Sequence, residues 1–177
     1  INSAAGEEYW HCMTLAGEYS AVNHQIIHEN VAKALRLKPV INVSNHHNFA
    51  WKEALSNGRE VIIHRKGATP AHLGELGIIP GSMATPGYIV RGLGCEQSLY
   101  SASHGAGRVM SRQDARNTFS RHALKKYLAA QNVELIGGST EEAPLAYKNI
   151  DMVMSAQKEL VDIEAKIIPR IVRMSED

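Results

Sequence analysis

The first candidate for chemistry is a histidine surrounded by small residues. His104 lies in the segment SASHGAGR, residues 101–108. Small residues let a ligand approach the backbone, and exposed N–H groups at residues 105–107 would suit a phosphate if a helix begins there. The segment therefore predicts an anion site with a nucleophilic imidazole at its mouth. The alternative is a histidine in a tight turn that only bonds the backbone.

Two arginines follow this histidine at a spacing of four residues. If a helix runs from Gly107 to about residue 131, Arg108 and Arg112 share one of its faces. Their guanidinium groups would then present two forks of donors to a phosphate beside His104. The more distant basic residues of the same segment are interpreted as a solvated helix face.

A histidine pair, His46-His47, is the second candidate, and it follows a predicted strand at residues 40–43. Adjacent strand residues point to opposite faces, so at most one of the two imidazoles would enter a shared site. Imidazole suits Mn²⁺, Zn²⁺ or Fe, but a metal site needs three or four ligands, and the sequence shows no obvious Cys/His/Asp cluster. Metal binding and a plain surface histidine both remain open here.

A glycine- and proline-rich segment, residues 67–87, predicts a structured loop. Ser82 lies in a Pro-Gly-Ser turn and can offer its hydroxyl and nearby N–H groups to a phosphate or a base, or the turn only joins strands. Lys66 precedes the loop as either a phosphate ligand or a solvated charge. Tyr147, farther along, can stack on a base or pack in the core.

Periodicity places these candidates among helices and strands and predicts an α+β fold, in which helices flank a mixed sheet. Helices are predicted at residues 7–37, from Gly107 to 131, and at 149–167, where Asn149 is a candidate N-cap. Strands are predicted at residues 40–43, 61–65, 88–90, 99–103, 133–136 and 169–172.

Composition narrows the class of protein. The 177 residues are 44% hydrophobic, enough for one medium domain with a core. The formal net charge of +1 means that affinity for a polyanion must come from local clustering. Two isolated cysteines suggest neither a disulfide framework nor a cysteine-rich zinc site, so a reducing cytoplasm is expected. The sequence has no apolar run of about 20 residues and no signal-peptide pattern, so no membrane partner is expected.

Five blocks of the sequence together resemble consecutive motifs of the RtcB family of RNA-splicing ligases, in matching order and spacing. They are NHHN at residues 45–48, HRKGA at 64–68, IPGSM at 79–83, SHGAGRVMSR at 103–112 and APLAYKNID at 143–151. The resemblance covers nearly the whole chain, and it implies an RtcB-like fold. It also implies that residues 1–177 are the carboxy-terminal portion of a single ligase domain whose amino-terminal half is absent.

The resemblance implies an activity: a GTP- and Mn²⁺-dependent ligase joins an RNA 3′-phosphate or 2′,3′-cyclic phosphate end to a 5′-hydroxyl end. It proceeds through a guanylylated histidine, which matches His104, and the implied manganese ligand is His47. Contacts with the guanine nucleotide are implied for Ser82, His104, Gly105, Ala106, Gly107 and Tyr147, and contacts with phosphate or RNA for Lys66, Arg108 and Arg112. The implied partners are RNA, such as tRNA halves or broken RNA, the amino-terminal half, and an archease-type activator.

Two departures from the family pattern affect these expectations. The family's other metal ligands belong to the absent half, so this chain alone is expected to be inactive. Met174 lies near the position where the family often has a final lysine that recognises guanine. Gly87 lies where the family often has a serine in the nucleotide loop. Two alternatives stay open: a nucleotide- or RNA-binding module without ligase activity, and a metal-dependent phosphotransferase that uses a phosphohistidine.

Overall fold

The α+β class is confirmed by the computed structural model, which describes residues 1–46 and 48–174. The chain divides into two units, Ile1–Lys66 and Gly67–Asp177. Among the described residues, the first unit consists of one long helix and a hairpin, and the second contains three small sheets and three short α-helices. No helix of the described residues combines the length and the apolar character that crossing a membrane requires.

The long helix of the first unit is α1, Ala4–Ala34. Its N-terminus is capped by Ser3, whose hydroxyl accepts from the N–H of Gly6 at 3.2 Å. The helix predicted at residues 7–37 is thus confirmed, although it begins and ends three residues earlier than predicted. The chain leaves the helix at Arg36, which has a positive φ of 56°, a left-handed conformation that is common at helix ends.

The hairpin of the first unit joins β1, Asn48–Ala54, to β2, Glu60–Lys66, in antiparallel register from Asn48 opposite Lys66 to Ala54 opposite Glu60. The predicted strand at residues 61–65 is confirmed. The predicted strand at residues 40–43 is wrong: Val40 is 95% exposed and this segment has no strand structure. β-branched residues favour extended backbone, but a strand also needs a ladder of hydrogen bonds to a neighbour.

The second unit contains three sheets. β3, Ala68–Pro70, pairs with β6, Ser101–Ser103, and an antiparallel sheet has the order β4, Leu76–Ile79, then β5, Gly87–Gly92, then β8, Val161–Ile167. β7, Glu134–Ile136, pairs in parallel with β9, Ile171–Arg173. The segment predicted as a loop at residues 67–87 therefore contains two strands. The strands predicted at 88–90 and 133–136 are confirmed.

The helices of the second unit are shorter than predicted. They are α2, Arg112–Thr118, α3, Arg121–Ala130, and α4, Ile150–Ser155, with 3₁₀ turns at Glu96–Ser98, Thr140–Glu142 and Pro144–Ala146. Asn149 caps α4, as predicted, by accepting from the N–H groups of Asp151 and Met152. The rest of the helix predicted at residues 149–167 is wrong, because residues 161–167 form β8.

Two apolar clusters support the second unit. The first joins β4, β5, β6, α4 and β8 through Ile79, Val90, Ala102, Ile150 and Val161, all at most 4% exposed. The second packs α3 against the chain that follows β4, through Leu124, Leu128 and Met83. Both clusters lie beside the segments that carry the candidate site.

Candidate functional site

His104 directly follows β6. Its backbone N–H donates to the carbonyl oxygen of Gly67 at 3.4 Å, which extends the β3–β6 ladder by one step. The imidazole stands against Gly67: a Cβ there would lie 3.7 Å from Cδ2 and 3.8 Å from Nε2 of His104. Gly67 also has a φ of 78°, which favours glycine. The local backbone therefore fixes the position of His104.

The turn that carries His104 is stabilised by partly buried hydrogen bonds of Ser103. The N–H of Ser103 donates to Oε1 of Gln157 at 2.9 Å, and the hydroxyl of Ser103 donates to the carbonyl of Gly105 at 2.7 Å. Gln157 is 5% exposed. Sequence reasoning missed this residue, because a glutamine in a segment predicted as helix carries no signal that it supports a distant turn.

The residues after Gly107 form an extended bridge. Arg108 pairs with Tyr147 in an isolated antiparallel bridge, in which the N–H of Lys148 donates to Gly107 and that of Val109 to Ala146, each at 2.9 Å. The prediction that a helix begins directly after Gly107 is therefore wrong, since α2 starts only at Arg112. A helix N-terminus does not support an anion at residues 105–107, and Arg108 and Arg112 do not share a helix face.

All three guanidinium nitrogens of Arg108 contact an acceptor. Its Nε donates to the carbonyl of Met110 at 3.1 Å, and Nη2 donates to the carbonyl of Glu141. Its Nη1 donates to the hydroxyl of Tyr147 at 3.0 Å and approaches Oε2 of Glu142 at 3.4 Å. The guanidinium carbon also lies 4.9 Å from the centre of the Tyr147 ring. Arg108 and Tyr147 thus form one structural unit.

Arg112 reaches the same acidic pair from α2. Its Nε lies 3.3 Å from Oε1 of Glu142 and 4.0 Å from Oε1 of Glu141. Arg116, one turn farther along, contacts Glu141 at 2.6 Å. Arg108 and Arg112 therefore meet at the carboxylate of Glu142 and not on one helix face as predicted, and sequence reasoning assigned no role to Glu141 or Glu142.

A cleft of about 360 Å³ opens beside this cluster. Ser82, Tyr147 and Glu142 line it together with a mainly apolar wall. The other lining residues are Ile78, Pro80, Gly81, Met83, Thr85, Gly87, Ile167, Pro169, Val172 and Met174. The structure therefore brings together Ser82 and Tyr147, which lie far apart in sequence, and places Met174 and Gly87 in the same wall.

The cleft adjoins the turn of the nucleophile candidate. A Cβ at Gly105 would lie 3.4 Å from the carbonyl oxygen of Pro80, a residue of the cleft wall. Ser82 is oriented by Thr85, whose Oγ1 accepts from the N–H of Ser82 at 2.7 Å and lies 2.9 Å from its hydroxyl. Ala106 is 4% exposed and packs in the first apolar cluster.

Burial raises the pKa of Tyr147 above its ordinary value of 10.0, and the hydrogen bond that its hydroxyl donates to Glu142 raises it further. A raised pKa in the folded state stabilises the fold fully below the pKa of the unfolded chain, and this contribution disappears as pH rises through the folded pKa. We therefore expect the difference in unfolding free energy between the parent and Tyr147→Phe to be constant up to about pH 9 and to shrink above about pH 10. Chemical denaturation of both proteins across this range measures it; a difference that grows above pH 10 would contradict the assignment.

Two predicted site residues are not among the residues that line the cleft. Lys66 ends β2 in the first unit and is exposed. His47 lies outside the described residues. Within residues 1–46 and 48–174, no group of three or more His, Cys, Asp or Glu side chains could hold a metal ion, so these residues do not fit a two-manganese site.

Comparison with known proteins decides the family. A family model described as tRNA-splicing ligase RtcB matches residues 1–175. The chain belongs to the RtcB family. It is 38% identical over 168 residues to RNA-splicing ligase RtcB of Escherichia coli K12 and 32% identical over 197 residues to RNA-splicing ligase RtcB of Mycobacterium tuberculosis H37Rv. It is 33% identical over 186 residues to tRNA-splicing ligase RtcB of Methanococcus maripaludis.

These matches cover most of this chain but less than half of each RtcB relative. The shares are 89% of the chain and 41% of the E. coli K12 protein, 96% and 45% for M. tuberculosis, and 86% and 38% for M. maripaludis. The chain therefore spans about two fifths of the length of the RtcB proteins that it matches.

Proposed function

We propose that the complete protein is a GTP-dependent RNA ligase, which joins an RNA 3′-phosphate or 2′,3′-cyclic phosphate end to a 5′-hydroxyl end in tRNA splicing or RNA repair. The proposal assigns GMP attachment to His104. The observation that supports it best is the cleft that contains Ser82 and Tyr147, because the turn of His104 packs against its wall at Pro80. Membership of the RtcB family adds the reaction class.

The first proposed step is attack by an imidazole nitrogen of His104 on the α-phosphorus of GTP. A P–N bond forms, the P–O bond to the β-phosphate breaks, and pyrophosphate leaves. Where the RNA end is a 2′,3′-cyclic phosphate, water first opens it to a 3′-phosphate and a 2′-hydroxyl. An oxygen of the 3′-phosphate then attacks the phosphorus of the adduct, the P–N bond to His104 breaks, and GMP is transferred to the RNA end. Finally the RNA 5′-hydroxyl attacks the activated 3′-phosphate, and GMP leaves with the electron pair. The chain's contribution is to hold the imidazole in place through Gly67 and Gln157.

The cleft is proposed to hold the guanine nucleotide. Its volume of about 360 Å³ is near the lower end of the range for small-molecule sites. An apolar wall with a few placed polar groups suits a purine, since the faces of the base are apolar and its edges form hydrogen bonds. Ser82 and Tyr147 offer hydroxyl groups, and the backbone of residues 105–107 lies on the side of His104.

Arg108 and Arg112 are proposed to receive a phosphate of the nucleotide or of the RNA end. Guanidinium groups stabilise the charge that develops on phosphoryl oxygens during transfer. Both arginines already converge on one anion, the carboxylate of Glu142, so the arrangement fits a bound anion at this point. Lys66 is kept as a proposed RNA contact.

The remaining expectations belong to the complete protein. Dependence on Mn²⁺ is proposed from the family resemblance, with His47 as a ligand, and no step is assigned to the metal because the described residues alone do not form a site for it. The amino-terminal half and an archease-type activator are proposed partners. A cytoplasmic location stays a prediction.

The direct test of the proposed function is ligation and labelling by the complete protein with Mn²⁺. We expect it to join a 3′-phosphorylated RNA to a 5′-hydroxyl RNA and to become labelled by GTP that is radioactive at the α-phosphate. Label from the γ-phosphate would indicate the phosphotransferase alternative. Binding of GTP and RNA without label or ligation would indicate a binding module. The 177-residue chain alone is expected to show neither label nor ligation.

A further inference from the structure

The carboxylate of Glu142 contacts three residues of the candidate site, Tyr147, Arg108 and Arg112. Its side chain is only 20% exposed, and it lines the cleft beside Tyr147. Oε2 accepts a hydrogen bond from the hydroxyl of Tyr147 and lies 3.4 Å from Nη1 of Arg108, while Oε1 lies 3.3 Å from Nε of Arg112. Both carboxylate oxygens are therefore used, one on the cleft side and one towards α2.

We infer that Glu142 is a positioning residue with two roles: it fixes Tyr147 in the nucleotide cleft, and it holds Arg108 and Arg112 as an exchangeable anion that the 3′-phosphate of the incoming RNA replaces. The inference rests on the proposed function for the identity of that phosphate. The inference adds Glu142 to the residues of the proposed site. It also adds an order of events, because the phosphate must compete with the Glu142 carboxylate for the two arginines.

The contacts of Arg108 explain why such an exchange is feasible. Two of its donor groups are fixed by backbone carbonyls, Nε by Met110 and Nη2 by Glu141. The guanidinium group can thus stay in place while Nη1 changes its acceptor from Glu142 to a phosphate oxygen. Arg112, with a side chain 68% exposed, is free to follow the new anion. A preorganised guanidinium loses little conformational entropy when the ligand arrives.

The contacts of Tyr147 explain the second role. Its ring packs against the guanidinium group of Arg108, and its hydroxyl is oriented by Glu142. Removal of the carboxylate takes away the acceptor of a partly buried hydroxyl, which then reorients or draws the ring towards solvent. Loss of Glu142 should therefore disturb the cleft wall as well as the charge balance.

Glu141 provides a matched control on the neighbouring position. Its carboxylate contacts Arg112 and Arg116, at 4.0 and 2.6 Å, and its side chain is also 20% exposed. It shares the charge and burial of Glu142 but serves the α2 side of the cluster. Changes at Glu141 alter the local charge without removing the acceptor of the Tyr147 hydroxyl.

The experiment compares Glu142→Gln, Glu142→Ala and Glu141→Ala in the complete protein. Affinity is measured for GTP, and for one RNA oligonucleotide with a 3′-phosphate and with a 3′-hydroxyl. Glutamine keeps an oxygen that accepts from Tyr147 but removes the charge. We therefore expect Glu142→Gln to keep the GTP affinity within about twofold and to raise the preference for the 3′-phosphate only about threefold, since a partly exposed ion pair contributes little net free energy.

Glu142→Ala removes both roles and should lower GTP affinity about tenfold, whereas Glu141→Ala should leave it unchanged. Spectroscopic titration of tyrosine adds a readout that a merely structural role would not move: Glu142→Gln should lower the pKa of Tyr147, because the contacts with Glu142 help to raise it. The Tyr147→Phe protein identifies which titration step belongs to this residue.

An unchanged or reduced 3′-phosphate preference in Glu142→Gln would overturn the exchange, and unchanged GTP affinity in Glu142→Ala would overturn the positioning role. A parent protein that binds neither GTP nor RNA would contradict the proposed function instead. In that case two measurements still decide this inference: the tyrosine titration, and the increase in melting temperature that inorganic phosphate causes in the parent and in Glu142→Gln. A larger increase in the variant supports the inference, and an equal increase overturns it.

Discussion

Replacing His104 with alanine is expected to abolish covalent guanylylation of the complete protein while leaving its fold intact. His104 follows β6, stands against Gly67 and adjoins the cleft through the contact of Gly105 with Pro80. The described side chains that line the cleft include no imidazole and no amine that could replace it. Ligation through a GMP adduct should be lost together with the label, because every later step uses that GMP.

The measurement is labelling by GTP radioactive at the α-phosphate, with melting curves recorded in parallel. His122→Ala is the matched control, since His122 is an exposed histidine of α3. The control should be labelled like the parent. Labelling of the His104→Ala protein at the parent's rate would show that the nucleophile is another residue.

Replacing Gly81 with alanine is expected to cause the largest loss of nucleotide binding among substitutions in the cleft wall that add only a methyl group. A Cβ at Gly81 would lie 2.3 Å from the carbonyl oxygen of Pro86 and 3.0 Å from that of Thr85. Backbone atoms cannot yield as a flexible side chain can, so the loop that carries Ser82 must shift. Overpacking of this kind costs about 1–3 kcal/mol of stability, and GTP affinity should fall about tenfold or more as Ser82 moves away.

Gly87→Ala is the matched control, because Gly87 lines the same cleft. A Cβ there would meet Pro80 at 3.5 Å, which is an ordinary contact. Denaturation and GTP titration of the two variants should separate them clearly. Equal behaviour of the two variants, or parent-like GTP binding by Gly81→Ala, would show that this loop does not form the nucleotide site.

The sequence predicted a helix or strand correctly where its apolar residues fitted only one of the two periodicities. The strand at residues 61–65 follows a glycine-containing turn and pairs back on its neighbour, so local information sufficed. The alternation of Val161, Ile163, Ala165 and Ile167 also has the period of a strand, but it continues a run of apolar residues at helical spacing. The pairing of β8 with β5 decided between the two, and sequence periodicity does not report that pairing.

In the candidate site, too, some residues could be predicted from the sequence and others could not. The family resemblance implied that Ser82 and Tyr147 contact the same nucleotide. Both residues line the cleft, and their contact with a nucleotide stays a prediction. The role of Glu142 could not be predicted, because its partners Arg108 and Arg112 lie 34 and 30 residues away. The helix predicted from Gly107 also placed Arg108 and Arg112 on one helix face, whereas the long-range bridge between Arg108 and Tyr147 holds this backbone extended.

The most direct test of the central claim is to locate the covalent nucleotide by mass spectrometry of peptides. The complete protein is incubated with GTP and Mn²⁺, digested without acid, since phosphorus–nitrogen bonds are acid-labile, and its peptides are sequenced. We predict a mass increase of one guanylate on the peptide that contains residues 101–108, with the modification on His104. A guanylate on a lysine or on another histidine, or ligation of RNA by a protein that never carries a guanylate, would contradict the account.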